Sequence, residues 1–442
     1  MNSKMLAIFA VVVVAVAGCA GAVYVLNDDD KDGDKFSMVS GLPVFGNADG
    51  NGVIDSSDLA IVKDVKDGKK TLEEYPYADA NQDGEVNDAD VELVQKIINK
   101  ESCTIYHVNT CSTGNYVAST AWPVKSAVST GAANMLMLLT LAGVKDMVHG
   151  ITYSASSSPD PALFPTFSKM KSLGSSSTKM TTDAVGDIQK TYNVTALISD
   201  KTASTISNES DFEAQNIDVI RVDAAYVDVE KFTTQIILIG FLFGTETQAL
   251  SVAEWELETM KEINDKVATI ENKVSAITTN GSTAKGAWVS AGTSDYLDVI
   301  KAAGGNYAIG DGDFPSTYAS GAYFVTGDTW LYKCDFDYIV SIRTGGWYSG
   351  MTQEEITKKY DDTMEYLTAT EAYQNHNAYV IVGDAPVILR VAYAACVMYP
   401  EIFSTEWADD LNKEFFEKFY DVDIDFTGKT FVISYNDAHP SS

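Results

Sequence analysis

Two acidic runs constrain the first hundred residues more than any other feature. The first is Asn47, Asp49, Asn51, Gly52, Asp55 and Asp58; the second is Asp79, Asn81, Asp83, Gly84, Asn87 and Asp90. Each places an oxygen-bearing side chain at positions 1, 3, 5, 9 and 12 of a twelve-residue stretch, with Gly at position 6. That is the register in which a loop wraps Ca²⁺ with oxygen ligands, the Gly allowing a sharp turn and the carbonyl at position 7, here Val53 and Glu85, completing the shell. Leu59, Val62 and Val65 follow the first run at helical spacing, and Val91, Val94, Ile97 and Ile98 follow the second. The unit is therefore a loop and a helix, duplicated 32 residues apart.

With these ligands in place, the segment resembles a type I dockerin, a small all-α module with two EF-hand-like calcium loops that plugs into cohesin domains. The family carries Asp at position 12, as Asp58 and Asp90 do. The resemblance implies two Ca²⁺ sites, a cohesin-bearing partner, and cohesin contact through positions 10 and 11, which are Ser56, Ser57, Asp88 and Ala89. Asn47 replaces the usual Asp at position 1, which removes one charge from the first loop. The earlier run Asp28, Asp30, Asp32 and Gly33 has Phe36 and Val39 where ligands belong and reads as linker.

The 442 residues carry 31 Lys and Arg against 62 Asp and Glu, a formal charge of −31. Such a field repels phosphate backbones and argues against nucleic-acid binding. The four His share no spacing of a zinc site, which leaves oxygen ligands for metal chemistry. Residues 5–26 carry no charge and are flanked by Lys4 and an acidic run. The length suits a membrane span, while Val16, Ala17, Gly18 and Cys19 resemble a lipobox with Cys19 as the lipidation site. An uncleaved spanning anchor, a lipoprotein and a cleaved signal all put the bulk of the chain on the extracellular face of the membrane. That compartment permits disulfides; Cys103 with Cys111 closes a short loop on one reading, and the thiols are buried and free on the other. Asn193, Asn208 and Asn280 each open a glycosylation sequon.

Beyond residue 102, apolar runs alternate with helical patterns. Strands are expected at 104–108, 125–129, 147–153, 195–199, 218–222, 287–290, 338–342 and 378–382, and helices at 132–142 and 184–192. This alternation predicts α/β architecture with largely parallel sheets in two lobes. Between them, Leu250, Leu257, Asn264 and Glu271 recur every seven residues, interleaved with Ala253, Met260, Val267 and Val274, and neither Gly nor Pro interrupts 245–279. One linking helix of about 35 residues, roughly 50 Å long, is the expectation. The resulting division is an anchor at 1–27, an acidic linker at 28–40, the dockerin at 41–101, a first lobe at 102–244, the linking helix at 245–280 and a second lobe at 281–442.

Three stretches carry a second resemblance. Residues 141–150 resemble a "LGAxDxVVG" run, 288–295 with Ala303, Gly304, Gly305 and Asn306 resemble the start of a second lobe, and 392–403 resemble an "ALYxAKxxYPExF" helix. Together they are similar to the substrate-binding proteins of ABC importers for iron chelates, haem and corrinoids. The family implies capture of a metal chelate without chemistry, a periplasmic-binding-protein-like fold joined by one long helix, and an ABC permease as partner. Asn134 sits near the place of a Glu that contacts the permease in that family. Ligands in open α/β lobes bind at the carboxyl ends of strands. That rule selects Ser129, Thr130, Tyr153, Trp288, Arg343, Trp347 and Tyr348, with Arg343 facing an anionic group and the aromatics stacking on a planar ligand. No paired nucleophile and base stands out near Ser154–Ser158, and no phosphate-binding glycine motif occurs. A surface adhesion or scaffold protein, or a carbohydrate-active enzyme brought in by the dockerin, are the alternative readings.

Overall fold

The structure is a computed structural model and describes residues 12–16, 19–23, 41–153, 158–175, 179–226, 228–283, 286–290, 294–309, 323–326, 331–420 and 422–440. The chain divides into two compact units. The first comprises 1–159, 166–224 and 230–255, and the second 160–165, 225–229 and 256–442.

In the first unit, strands β1 (Val12–Val16) and β2 (Cys19–Val23) pair antiparallel, with Val16 opposite Cys19. In the described part of the stretch where a spanning helix is one expectation, two strands form instead, as a run of β-branched Val favours extended backbone. Among the described residues no helix is long and apolar enough to cross a membrane. The acidic linker 28–40 lies outside the described residues.

Helices α1 (Ser56–Lys66) and α2 (Asp88–Ile98) follow the two acidic loops. Each opens with a capping box: Asp55 and Asn87 cap the helix, and Asp58 and Asp90 reach back to the cap's own backbone N–H. Ala48, Leu59, Val62, Ala78, Ala80 and Val94 form the small core between them. A hairpin comes next, β3 (Cys103–Asn109) and β4 (Tyr116–Trp122), antiparallel along its whole length from Cys103 opposite Trp122 to Asn109 opposite Tyr116. Cys103 therefore opens a strand on the order of 20 Å long at about 3.3 Å per residue, and Cys111 lies two residues beyond its far end. A disulfide between them is geometrically ruled out, and both thiols are free.

Then β5 (Ala127–Ser129), α3 (Ala133–Leu141), β6 (Val148–Ile151), α4 (Thr182–Tyr192), β7 (Ala196–Asp200), α5 (Glu209–Glu213) and β8 (Asp218–Val222) build a four-stranded sheet in the order β6-β5-β7-β8. All its pairings are parallel. Its strands read as continuous apolar runs because both faces are covered. Helix α6 (Val229–Phe243) leads to α7 (Glu246–Val267).

Helix α7 has 22 residues and stops at Val267, not near residue 279. The stretch expected to continue it holds a turn and then β9 (Ser275–Ile277), which pairs with strands of the second unit. Ala276 and Ile277 are fully buried there, so sheet burial wins over the helical pattern.

The second unit continues with β10 (Thr279–Thr283), β11 (Gly286–Ser290), α8 (Asp295–Ala302), β12 (Asn306–Tyr307), β13 (Tyr323–Thr326), β14 (Tyr338–Arg343), α9 (Gln353–Met364), α10 (Glu371–Gln374) and β15 (Ala378–Val382). It closes with α11 (Val387–Met398), α12 (Thr405–Phe419), β16 (Val432–Ile433) and α13 (Tyr435–Ala438). Its main sheet has the order β12-β9-β14-β15-β16, parallel except for the last pair. A second, antiparallel sheet, β10-β11-β13, was not expected. Helix α11 is buried along its entire length, as its apolar sequence requires.

Candidate functional site

The two acidic loops are built alike. At position 12, Asp58 accepts the N–H of Asp49 at 3.0 Å and of Asp55 at 2.8 Å. Asp90 accepts those of Asn81 at 3.1 Å and Asn87 at 2.9 Å. At position 9, Asp55 and Asn87 accept from Ser57 and Ala89 as helix caps. At position 3, Asp49 and Asn81 accept from Asn51 and Asp83; at position 5, Asn51 and Asp83 accept from Val53 and Glu85. At position 1 the loops part company. Asp79 accepts the N–H of Asp83 and Gly84, while Asn47 donates its amide to Leu42 O and Asn51 O, each at 2.7 Å. Left-handed backbone falls on position 4 of both loops, Gly50 and Gln82, and on position 6 in the second alone, at Gly84.

Two observations bear on a cation. The Oδ1 of Asn47 is fully buried and has no hydrogen-bond partner, an arrangement that costs free energy unless something positive or donating meets it. Burial pushes the Asp58 carboxyl up to about 7, and the charges of Asp49 and Asp55 add to that rise; burial likewise raises Asp79, with Asp90 and Asp83 adding to it. Crowded, partly desolvated acid oxygens beside an unmet amide oxygen suit a hard divalent cation. Among the described residues no three His, Cys, Asp or Glu converge as a ready metal cluster. Half the ligand set consists of Asn and backbone oxygens, and the position-12 acids are already engaged with backbone N–H groups.

Ser56, Ser57, Asp88 and Ala89 lie in the first turns of α1 and α2 and are all exposed. Asp88 differs from its counterparts in being paired with Lys66 at 2.7 Å.

The expected ligand residues of the α/β part divide into three kinds. Ser129 and Thr130, at the carboxyl end of β5, are buried; Ser129 donates to Thr130 O, and Thr130 accepts the N–H of Asp200 at the end of neighbouring β7. Tyr153, beyond β6, donates to Met170 O at 2.6 Å. These three share the carboxyl edge of the parallel sheet of the first unit. In the second unit, Arg343 ends β14 and donates to Asn280 O, and Trp288 on β11 is 39% exposed. Residues 154–157 and 291–293, which belong to two of the expected loops, lie outside the described residues.

Trp347 and Tyr348 require a correction. They are 1% and 2% exposed. The indole N–H of Trp347 donates to Arg343 O at 2.6 Å, and Tyr348 donates to Asn412 at 3.0 Å within a cluster of Phe416, Phe426 and Phe431. Enclosed rings of this kind hold the loop after β14 in place and offer no face for stacking.

Sequence reasoning passed over Asp384 and Lys359. Asp384 accepts the N–H of Gly345 at 2.7 Å, and Lys359 donates to Thr344 O at 2.8 Å. Burial raises Asp384, and the cations Arg390 and Lys359 oppose that rise; burial lowers Lys359. The Gly383-Asp384 pair directly after β15 was the available clue, since a strand followed by Gly and an acid marks a carboxyl-end loop.

A family model, the Dockerin type I domain, matches residues 46–99. No curated protein sequence matches the chain. Among solved structures, the TroA-like periplasmic binding protein FepB from Veillonella parvula is similar at 16% identity and TM-score 0.57, over 74% of this chain and 99% of that one. A periplasmic solute binding protein from Veillonella parvula DSM 2008 is similar at 16% identity and TM-score 0.55, over 73% and 95%. An ABC transporter solute binding protein from Sulfurospirillum deleyianum DSM 6946 follows at 14% identity and TM-score 0.53, over 72% and 96%. Residues 46–99 are a dockerin type I domain, and the α/β remainder of the chain has the fold of TroA-like periplasmic binding proteins.

Proposed function

We propose that this chain is a surface-displayed solute-binding protein that captures a metal chelate, a ferric siderophore, haem or a corrinoid, for an ABC importer. Its dockerin tethers it to a cohesin-bearing partner. The observation that carries the reading is the shared fold over nearly the whole length of an ABC transporter solute binding protein, joined in one chain to a dockerin. Binding without chemistry is part of that reading. Ser129, Thr130 and Tyr153 are assigned to ligand contact within the first unit, and Arg343 and the exposed Trp288 are assigned to it within the second. Arg343 favours an anionic chelate and Trp288 a planar one.

Ca²⁺ is the cation assigned to the two loops, with Asn47, Asp49, Asn51, Val53 O, Asp55 and Asp58 holding one ion and Asp79, Asn81, Asp83, Glu85 O, Asn87 and Asp90 the other. It would neutralise the crowded acids and supply folding free energy to the module. Ser56, Ser57, Asp88 and Ala89 are the cohesin contacts, and the ion pair from Lys66 to Asp88 makes the second face chemically unlike the first. N-terminal anchoring through lipidation of Cys19 is assigned to the extracellular face.

Tryptophan-fluorescence titration with ferric siderophores, haem and cobalamin tests the ligand. Binding of one of them tighter than about 10 μM supports the reading; a sugar or peptide binding in their place overturns it. Detergent, not salt, is expected to release the protein from membranes, and loss of the anchor in Cys19→Ala identifies a lipoprotein.

A further inference from the structure

The dockerin is fastened to the first unit's α/β structure at both ends. Ahead of the first loop, Phe45 N–H donates to Tyr106 O at 2.8 Å and Val108 N–H donates to Pro43 O at 3.0 Å, with Val44 facing His107 in antiparallel register. Residues 43–45 thus act as a third strand on the β3–β4 hairpin. Leu42, Val44 and Phe45 are 1%, 0% and 4% exposed, and the Phe45 ring lies 4.9 Å from that of Tyr77 in the dockerin. Beyond α2, Lys100 pairs with Glu246 of α7 at 2.6 Å and sits over the Trp122 ring of β4.

Asn47 stands two residues after this added strand. The orientation of its amide is set by the two carbonyls it meets, since Nδ2 donates to Leu42 O and Asn51 O. Its Oδ1 then points where no protein donor waits. An Asp at this position would supply the oxygen but lose both donors. We propose that Asn47 is a relay: its Oδ1 completes the first cation loop while its amide holds Leu42 and the added strand, so that calcium occupancy and the order of the β3–β4 hairpin rise and fall together. The solute-binding lobe is then calcium-dependent through its own hairpin. This inference rests on the calcium reading above, and its test separates the two.

Hydrogen exchange on the full chain, with calcium or with chelator, is the measurement, alongside a calorimetric calcium titration. At calcium one hundred times its dissociation constant, full coupling slows exchange at the Phe45 and Val108 amides by up to about a hundredfold, together with amides of 49–58. In Asn47→Asp, calcium is expected still to slow the loop amides, while the effect at Phe45 and Val108 drops below about threefold. Calcium that protects the wild-type loop but leaves Phe45 and Val108 unchanged overturns the coupling alone, whether or not the variant folds. An undiminished effect in a folded Asn47→Asp overturns the role of Asn47. A chain that binds no calcium in the titration overturns the calcium reading and the relay together.

Discussion

Glu256 shows how much a single buried group can set. Its side chain is fully enclosed, and neither carboxylate oxygen has a hydrogen-bond partner. Burial pushes its carboxyl from 4.5 up to about 8. Between those values the folded state holds a proton that the unfolded chain has released, so stability falls as pH rises, by about 1.4 kcal/mol per pH unit, and levels off above the folded value. Glu256→Gln removes that slope. Denaturant midpoints from pH 5 to 9 are expected to converge at the acid end and to favour the variant at the alkaline end; parallel curves would show that Glu256 finds a partner in solution. Trp347 makes a different point at the same scale. Enclosed and hydrogen-bonded to Arg343 O, it is expected to cost about 3–5 kcal/mol of stability when truncated to Ala. The expected result is a large loss in unfolding free energy with solute affinity preserved in whatever fraction stays folded.

At the scale of elements, close approach decides outcomes that propensity alone gets wrong. Gly240 lies within α6, where Ala would be the better helix former by about 1 kcal/mol. A Cβ there would come within 2.3 Å of the Ala249 Cβ on α7, a contact that backbone movement has to relieve at about 1–3 kcal/mol. The clash outweighs the propensity, so Gly240→Ala is expected to lower the melting temperature; a rise would mean that α6 and α7 pack less tightly than described. The helices of the dockerin work through their caps. Asn87→Ala removes the bond to Ala89 N–H and is expected to cost about 1 kcal/mol even with chelator present, measured as loss of helical circular dichroism on heating. With calcium the loss grows, because Asn87 is also assigned to the second ion.

The whole chain is two compact units, each with its own sheet and buried core. Calorimetry on the full protein is expected to resolve two transitions, with Glu256→Gln moving only one of them; a single transition shifted as a whole would show the units unfolding together. How far this organisation was legible in the sequence follows from the range of the forces involved. Strands β8 and β15 were readable to the residue because each is a bounded run of apolar, β-branched side chains, and the same holds within two or three residues for β5, β7 and β14. The acidic loops and the helices after them were readable because the spacing of the acids and the capping boxes is settled within a dozen residues. Contacts distant in sequence were not. Helix α7 stops at Val267 because β9 gains a place in a parallel sheet whose partners lie 31 and 62 residues downstream. Trp347 and Tyr348 look identical to ligand-stacking aromatics until Asn412 and the surrounding Phe residues enclose them. By itself, then, the sequence determined the duplicated acidic loops, the helices that follow them and the alternating α/β pattern, all products of local backbone geometry. Only tertiary structure decided that residues 43–45 join the β3–β4 hairpin, that Glu256 is enclosed and that Cys103 and Cys111 stand apart. Those outcomes depend on burial summed over residues far apart in the chain, which no local spacing records.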